Sequence, residues 1–399
     1  MQHTGKEELL GYSIEETNLD KTRDVTEKCD GHRFRVIVEL AKGCYGNCLG
    51  CAMSNIEKKK PEPLDGEKLK EYLGAFIPVV NSKPDVLTTI VNYGIGDYFL
   101  YDEDSFEALA EATRWFFDQI KTERNVISIS TSLLSKPENM KEKAERIRKH
   151  LAPTQVIFDA VIDPERLEEH FDNYTKNLEL LTSYFSFLDV AINIHKGLTP
   201  KDAYWLHKFT AQKQVLNLDI QYAVNNTNAY RVQTNPEDFR GFWETLWELF
   251  EKDNDEKRLS LSLSSPQVDD EMSLPEVIKK ATDAAFEERV LIDLDGNVWF
   301  VAYGLGDIFV DKKFTVPGII DVEPIGKIEK GVYIPNPKTR RTIERAMLKA
   351  SSGEECMDCE YVKACYGTGY GWYHIHSEDL NKCGNPAKVC FDMLKEQNQ

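Results

Sequence analysis

The chain has 399 residues, of which 41% are hydrophobic and 29% charged, a composition typical of a folded globular protein rather than a disordered one. No apolar run reaches the roughly 18 residues of a membrane span, and the N-terminal sequence MQHTGKEELL has no signal-peptide core. The formal net charge of −18 argues against a surface that binds nucleic acid. We therefore expect a cytoplasmic protein whose partners include neither a membrane nor a nucleic acid.

After a polar lead-in over residues 1–33, the sequence alternates between two kinds of apolar pattern. Runs rich in β-branched residues predict strands at 34–40, 86–93, 126–130, 155–162, 190–195, 216–222 and 259–263. Amphipathic segments predict helices near 65–79, 104–122, 137–151, 164–186, 199–212 and 236–251. This alternation predicts an α/β fold with parallel strands and crossover helices, and about six repeats are fewer than the eight of a closed barrel.

Three cysteines follow the first predicted strand in a C-x3-C-x2-C pattern, at Cys44, Cys48 and Cys51. Clustered thiols in a reducing compartment indicate metal ligands before disulfides. Three thiolates would leave one iron of a [4Fe–4S] cluster open to a substrate or cofactor, because such a cluster normally takes four. A structural zinc ion is the alternative, but no fourth ligand lies nearby at the usual spacing.

Polar and small residues follow three later strands at the same predicted edge of the sheet. They are Gly94, Gly96 and Asp97 after the second strand, Ser130 and Thr131 at the end of the third, and Asn193 at the end of the fifth. Glycines allow close approach of the backbone, and a carboxylate can accept a hydrogen bond from an ammonium group. A tight turn or ordinary strand-end polarity would also account for these residues, and His195 is interpreted as a core histidine.

The pattern changes after about residue 264. A linker and a helix are predicted over 265–285, followed by a hairpin over 290–301 that turns at Asp295 and Gly296, and by a helix near 339–350. The tail carries a second group of cysteines, which are Cys356, Cys359, Cys365, Cys383 and Cys390. We interpret 1–33 as a lead-in, 34–270 as the main domain and 271–399 as a smaller metal-binding domain, with a zinc-ribbon-like site as the alternative for the tail.

The loop that carries Cys44, Cys48 and Cys51 resembles the signature of the radical SAM superfamily. The resemblance implies a partial (β/α)6 TIM-like barrel and a [4Fe–4S] cluster on these three cysteines. In that family the open iron chelates the amino and carboxylate groups of S-adenosylmethionine. The segment from Gly94 to Asp97 is similar to the family motif that contacts the methionine amino group, and the hydroxyls of the third strand would reach the ribose.

The tail resembles the SPASM/twitch extension of one branch of the same superfamily. The full SPASM form has seven cysteines and two auxiliary clusters, but this chain lacks a cysteine after the hairpin, at 301–303, and another near Gly369. The resemblance therefore implies one auxiliary [4Fe–4S] cluster on Cys356, Cys359 and Cys365. Cys383 or Cys390 would be the fourth ligand.

The resemblance implies an enzyme that reductively cleaves S-adenosylmethionine to a 5′-deoxyadenosyl radical, which then abstracts hydrogen from a substrate. A flavodoxin or ferredoxin would supply the electron. The expected substrate is a ribosomal peptide or protein side chain that is cross-linked, oxidised or epimerised, although a 33-residue lead-in is short for a separate leader-binding domain. The alternatives are a dehydrogenase of a small molecule, such as an aminosugar or alcohol, and a non-catalytic Fe–S or zinc protein.

Overall fold

The structure is a computed structural model, and it describes most of the chain between residues 33 and 367. The described ranges are 33–42, 62–93, 102–151, 154–185, 188–194, 197–211, 215–222, 240–253, 259–260, 271–299, 314–316 and 319–367, together with Asn381, Cys383, Lys388 and Asp392.

One long sheet organises these residues. The strands of the described chain are β1 (Arg33–Val38), β2 (Ala41–Lys42), β3 (Glu62–Pro63), β4 (Thr88–Tyr93), β5 (Arg124–Thr131), β6 (Gln155–Ile162), β7 (Leu188–Ile194), β8 (Val215–Tyr222), β9 (Leu259–Ser260), β10 (Arg289–Ile292), β11 (Asn297–Trp299), β12 (Phe314–Val316), β13 (Ile319–Val322), β14 (Gly326–Glu329) and β15 (Val332–Pro335). The sheet order is β15-β14-β11-β10-β1-β4-β5-β6-β7-β8-β9, and the eight strands from β10 to β9 are parallel to one another.

Helices connect the parallel strands, as the alternation in the sequence predicts. The described α-helices are α1 (Gly66–Gly74), α2 (Ile77–Asn81), α3 (Glu103–Gln119), α4 (Pro137–Leu151), α5 (Leu167–Tyr184), α6 (Pro200–Thr210), α7 (Arg240–Lys252), α8 (Leu274–Glu288), α9 (Pro337–Ser351), α10 (Glu354–Met357) and α11 (Val362–Gly367). None of the helices in the described part of the chain is long and apolar enough to cross a membrane.

The two faces of the sheet differ in what they contact. Phe34, Val36 and Val38 of β1 are buried, whereas the alternate residues of this strand are partly exposed. Successive side chains of a strand point to opposite faces, so β1 has one apolar face and one partly open face. Tyr93 of β4 marks the helix-covered face, because its hydroxyl donates to the Leu109 carbonyl oxygen of α3 at 3.1 Å.

The C-terminal half of the chain adds strands to this same sheet. β10 pairs in parallel with β1, and Val290 lies opposite Val36. The predicted hairpin over 290–301 is confirmed, because β10 and β11 pair antiparallel with Leu291 opposite Trp299. β14 and β15 extend the sheet beyond β11.

Buried Asp293 holds the hairpin turn together. Its Oδ1 accepts hydrogen bonds at 2.9 Å from the amides of Asp295 and Asn297, and its Oδ2 accepts at 2.9 Å from the side-chain nitrogens of Asn297 and Trp299. Gly296 has a φ of +78°, and a Cβ there would lie 3.0 Å from the Tyr72 ring. Glycine fits this turn both in conformation and in space.

The first predicted helix is divided in the structure. Residues 65–79 were expected to form one helix, but α1 ends at Gly74 and α2 begins at Ile77. Pro78 lies in the first turn of α2, where its missing N–H leaves no hydrogen bond unmade. The proline is therefore compatible with the start of a new helix but not with the interior of a continuous one.

We predict that Asp293→Ala lowers the free energy of unfolding by about 3 kcal/mol, because the buried Trp299 indole and the partly buried amide hydrogen bonds of Asp295 and Asn297 lose their acceptor. Urea unfolding followed by tryptophan fluorescence measures the loss. Asp295→Asn, at an exposed position of the same turn, is the control and should change the midpoint little. Equal midpoints for the two variants would contradict the role assigned to Asp293.

Candidate functional site

The sequence-predicted site residues that the structure describes on β5 and β7 lie towards the carboxyl edge of the sheet. Parallel strands bring their carboxyl ends together, and β1, β4, β5, β6 and β7 are consecutive in the sheet. Gly94 directly follows β4, Ser130 and Thr131 end β5, and Asn193 lies in β7 opposite Gln221 of β8. Six predicted residues, which are Cys44, Cys48, Cys51, Gly94, Gly96 and Asp97, lie outside the described residues, as does the core histidine His195.

The residues that flank the segment with the first three cysteines belong to a short antiparallel strand pair. β2 and β3 pair antiparallel, with Ala41 opposite Pro63 and Lys42 opposite Glu62. The Leu64 amide also donates to the Leu40 carbonyl oxygen at 2.6 Å. Lys42 and Glu62, the described residues on either side of 43–61, therefore lie together just beyond the carboxyl end of β1.

The turn after β5 is held in a strained conformation. Buried Leu133 has a φ of +53°, in the left-handed region that a leucine rarely adopts. The Thr131 hydroxyl oxygen accepts from the Leu133 amide at 3.2 Å, and buried Asn177 of α5 donates to the carbonyl oxygens of Leu133 and Ser135, each at 2.8 Å. Asn177 therefore fixes the backbone immediately after the predicted ribose contacts.

A row of polar side chains crosses the partly open face of the sheet just below this edge. Asn92 of β4 donates to the Ser128 hydroxyl of β5 at 3.2 Å, and Ser128 donates to the carboxylate of Asp159 in β6. Ser130 lies opposite Asp159 in the register of β5 and β6. The row lies within about 10 Å of the strand ends, since a strand rises about 3.3 Å per residue.

Asp159 is the charged member of this row on β6. Asp159 is surrounded by protein, but it is only partly buried by its solvent-accessible surface. Burial raises the pKa of Asp159, and this effect is opposed by the hydrogen bond from Ser128, by the positive charge of Arg35 and by Asn92. Asn92 is 8% exposed, and its Oδ1 has no hydrogen-bond partner among the residues that the structure describes. The row therefore offers both a carboxylate and an unused amide acceptor.

The sequence analysis missed Arg35, Asn92, Ser128 and Asp159. Their signal is present in the sequence, since each is a polar residue inside a run that otherwise reads as a buried strand. The period of two predicts which side chains share a face within one strand. It does not predict the register between strands, which places Asn92 opposite Ser128 and Ser130 opposite Asp159.

The structure brings Cys356, Cys365 and Cys383 near one tyrosine, and Cys359 near Cys356. Cys356 is buried in α10, Cys359 and Cys365 flank the start of α11, and no disulfide joins them or Cys383. Burial, then the neighbouring Cys383 and Cys359 thiols, raise the pKa of Cys356 to about 12. Cys390 lies outside the described residues.

The tyrosine is Tyr366, which is 0% exposed. Its pKa is raised by burial and by the charges of Cys356, Cys365 and Cys383. The phenol oxygen makes no hydrogen bond of normal geometry within the described residues, although the Cys356 thiol lies within reach of it. Among all the residues that the structure describes, no three His, Cys, Asp or Glu side chains are arranged to hold a single metal ion.

Two contacts fix the tail. The Cys383 amide donates to the Glu355 carboxylate at 2.7 Å, which ties Cys383 to the helix that carries Cys356. Arg340 of α9 pairs with Asp283 of α8, the helix that leads directly into β10. The cysteine group is therefore connected through α9 and α8 to the strand beside β1.

Comparison with known proteins gives a match in fold. No protein-family model matches the chain, and no curated protein matches it either. Among solved structures, native anSMEcpe with bound AdoMet is similar, with a TM-score of 0.59 and 15% identity over 91% of this chain and 98% of that chain. A histidine-tagged form of anSMEcpe with bound AdoMet has a TM-score of 0.57 and 14% identity over 92% of this chain and 95% of that chain.

A third similar structure is native anSMEcpe with bound AdoMet and the Cp18Cys peptide, with a TM-score of 0.57 and 15% identity over 92% of this chain and 99% of that chain. The chain therefore has an α/β fold similar to that of anSMEcpe over nearly its whole length.

We predict that Asp159→Asn raises the free energy of unfolding at neutral pH. Because burial raises the pKa of Asp159 above its ordinary value of 3.8, the ionised carboxylate destabilises the native state. The gain should be largest above the raised pKa, shrink as the pH falls towards 3.8 and disappear below it, where the carboxyl is protonated in both the folded and the unfolded wild-type chains.

Urea unfolding of the metal-free protein from about pH 4 to about pH 8 measures this pH dependence. Asp118→Asn on the exposed face of α3 is the control for removing a surface carboxylate. A lower stability of Asp159→Asn at neutral pH, or a difference from wild type that is constant with pH, would show that desolvation does not dominate at Asp159.

Proposed function

We propose that the chain is a radical SAM enzyme. The proposal depends on one observation above all: Lys42 and Glu62, which flank the C-x3-C-x2-C segment in the sequence, are paired in β2 and β3 beyond the carboxyl end of β1. That edge is where parallel α/β folds bind their ligands. The similarity in fold to anSMEcpe, which was solved with bound AdoMet, supports the same conclusion.

Cys44, Cys48 and Cys51 would hold a [4Fe–4S] cluster, in keeping with three thiolates and small neighbouring residues. When bound, this cluster supplies the electron that cleaves S-adenosylmethionine, and the 5′-deoxyadenosyl radical so formed takes hydrogen from the substrate. We assign the contacts with S-adenosylmethionine to residues at the ends of β4, β5 and β7, which are Gly94, Gly96, Asp97, Ser130, Thr131 and Asn193. Of the two hydroxyls on β5, Ser130 shares a face with Asp159, whereas the Thr131 oxygen already accepts from Leu133.

The chain's own residues would shape the reaction space. We propose that β1, β4, β5, β6, β7 and β8 curve into a partial (β/α)6 barrel, with the polar row on its inner face. Helices cover the outer face, as the contact of Tyr93 with α3 indicates. In this arrangement Asn92 and Asp159 would accept hydrogen bonds inside a space that is sheltered from bulk water.

The tail would hold one auxiliary [4Fe–4S] cluster. Cys356, Cys359 and Cys365 are three ligands, and Cys383 is our choice for the fourth in preference to Cys390. Its interaction with Cys356 and the tie of its amide to Glu355 support this choice. The buried Tyr366 oxygen, which lacks a well-formed hydrogen bond in the described chain, fits a sulfur-rich group between the thiols. The resulting division would be a lead-in over 1–33, a radical SAM domain over 34–270 and a cluster domain over 271–399.

We propose a peptide or protein side chain as the substrate. The fold matches anSMEcpe over nearly its full length in the structure that contains the Cp18Cys peptide. A flavodoxin or ferredoxin would supply the electron, and a reducing cytoplasmic location would keep all the ligating thiols available. The auxiliary cluster would accept an electron from the substrate or bind the substrate directly.

The two cysteine groups predict different losses. Cys48→Ala should reduce cleavage of S-adenosylmethionine by the anaerobically reconstituted, reduced protein to background, because two thiolates cannot hold a cluster with one open iron. The Cys356→Ala, Cys359→Ala double variant, which leaves only two thiolates for the tail cluster, should retain cleavage and lose about four of about eight bound irons. Cys29→Ala, outside both groups, is the matched control and should retain both cleavage and iron.

Iron and sulfide analysis with detection of 5′-deoxyadenosine by chromatography makes these measurements. A circular-dichroism melt checks that the Cys356→Ala, Cys359→Ala double variant remains folded, since loss of a cluster can unfold a small domain. Full cleavage by Cys48→Ala would refute the radical SAM assignment. An iron content near four in the wild type, unchanged in the double variant, would refute the auxiliary cluster alone.

A further inference from the structure

The Tyr366 hydroxyl is buried, and in the described part of the chain only the Cys356 thiol lies within reach of it. The side chain is 0% exposed, and its oxygen makes no well-formed hydrogen bond within the described residues. A buried polar atom without a partner costs about 1–3 kcal/mol. Phenylalanine would fill the same space without this penalty, so packing alone does not account for a tyrosine at this position.

The surroundings of the hydroxyl identify the partner it could take. The groups that interact with it are the thiols of Cys356, Cys365 and Cys383, which lie on α10, on α11 and beyond α11. Thiol sulfur is a weak acceptor, whereas thiolates and cluster sulfides carry negative charge and accept hydrogen bonds more strongly. A phenol is an O–H donor at neutral pH, since its ordinary pKa is about 10.

We propose that the Tyr366 hydroxyl donates a hydrogen bond to a sulfur atom of the auxiliary [4Fe–4S] cluster and thereby raises the reduction potential of that cluster. This inference rests on the auxiliary cluster proposed above. One-electron reduction increases the negative charge on the sulfur atoms, so the hydrogen bond is stronger in the reduced state. Tyr366 is a positioning and tuning residue in this role and takes no part in a bond-making step.

The experiment uses the full chain with Cys44, Cys48 and Cys51 all changed to Ala, so that iron in the protein reports only on the tail. Dithionite supplies the electron in an anaerobic redox titration, and electron paramagnetic resonance measures the reduced cluster. In this background, Tyr366→Phe should disfavour reduction about tenfold, which corresponds to a potential lower by about 59 mV for a one-electron couple. The exchangeable-deuteron coupling seen after transfer to D₂O should also decrease.

Tyr361→Phe is the matched control, because Tyr361 lies in the same region and its hydroxyl is hydrogen-bonded to the Asp392 carboxylate. It should leave the potential unchanged. A second substitution, 3-fluorotyrosine at position 366, keeps the packing and makes the O–H a stronger donor, so it should raise the potential. If Tyr366→Phe binds no iron, the reduction potential of the 3-fluorotyrosine protein tests the proposal instead.

A stability measurement separates tuning from a purely structural role. In the cluster-free protein, Tyr366→Phe should unfold at the same urea concentration as the parent or a higher one, because the hydroxyl has no well-formed hydrogen bond to lose. A lower midpoint would overturn the proposal. A cluster that binds with the same potential in the parent and in both Tyr366 variants would overturn the proposal and leave the auxiliary cluster intact. If the tail of the parent protein binds no iron, both the Tyr366 hydrogen bond and the auxiliary cluster are refuted.

Discussion

The pairing of β1 with strands on both of its sides is the constraint on which the rest of the structure depends. Arg35 lies opposite Ile90 of β4 on one side and opposite Arg289 of β10 on the other. Both neighbours are parallel, so the direction and depth of β1 are fixed by hydrogen bonds along both edges. Lys42 and Glu62, which flank the three-cysteine segment, lie together just beyond the carboxyl end of this strand. The same pairing joins the C-terminal part of the chain to the strand that positions the first cysteine group.

The candidate site is kept at some cost in stability. Asn92 has a buried acceptor without a partner in the described structure, Asp159 has a carboxylate disfavoured by burial, and Leu133 adopts a left-handed backbone conformation. Apolar substitutes at the first two positions would pack without these penalties. All three residues lie at or just below one edge of the sheet, whereas the opposite, helix-covered face is built from residues such as Val36 and Phe158. Concentration of strain and buried polarity at one edge is characteristic of functional sites.

The sequence was sufficient for the local elements. The repeating strands and helices, the hairpin that turns at Gly296 and the helix now bounded as Pro337–Ser351 were all predicted from periodicity and turn residues. Long-range contacts were beyond the reach of these signals. Nothing local indicates that Val290 pairs with Val36, because the register between strands so far apart in the chain depends on tertiary packing. The polar row was missed for the same reason. The tail cysteines could be grouped by their spacing, but the central position of Tyr366 required the fold.

The central claim is that the three-cysteine segment binds a cluster whose open iron takes S-adenosylmethionine. The most direct measurement is pulsed electron–nuclear double resonance on the reduced Cys356→Ala, Cys359→Ala double variant, in which only the first cluster remains. S-adenosylmethionine labelled with ¹⁵N at its amino group is the probe. The account predicts a ¹⁵N hyperfine coupling that is absent without the label, as expected for an amino nitrogen bound to iron. A reduced cluster that shows no coupling to the label in the presence of saturating S-adenosylmethionine would contradict the account.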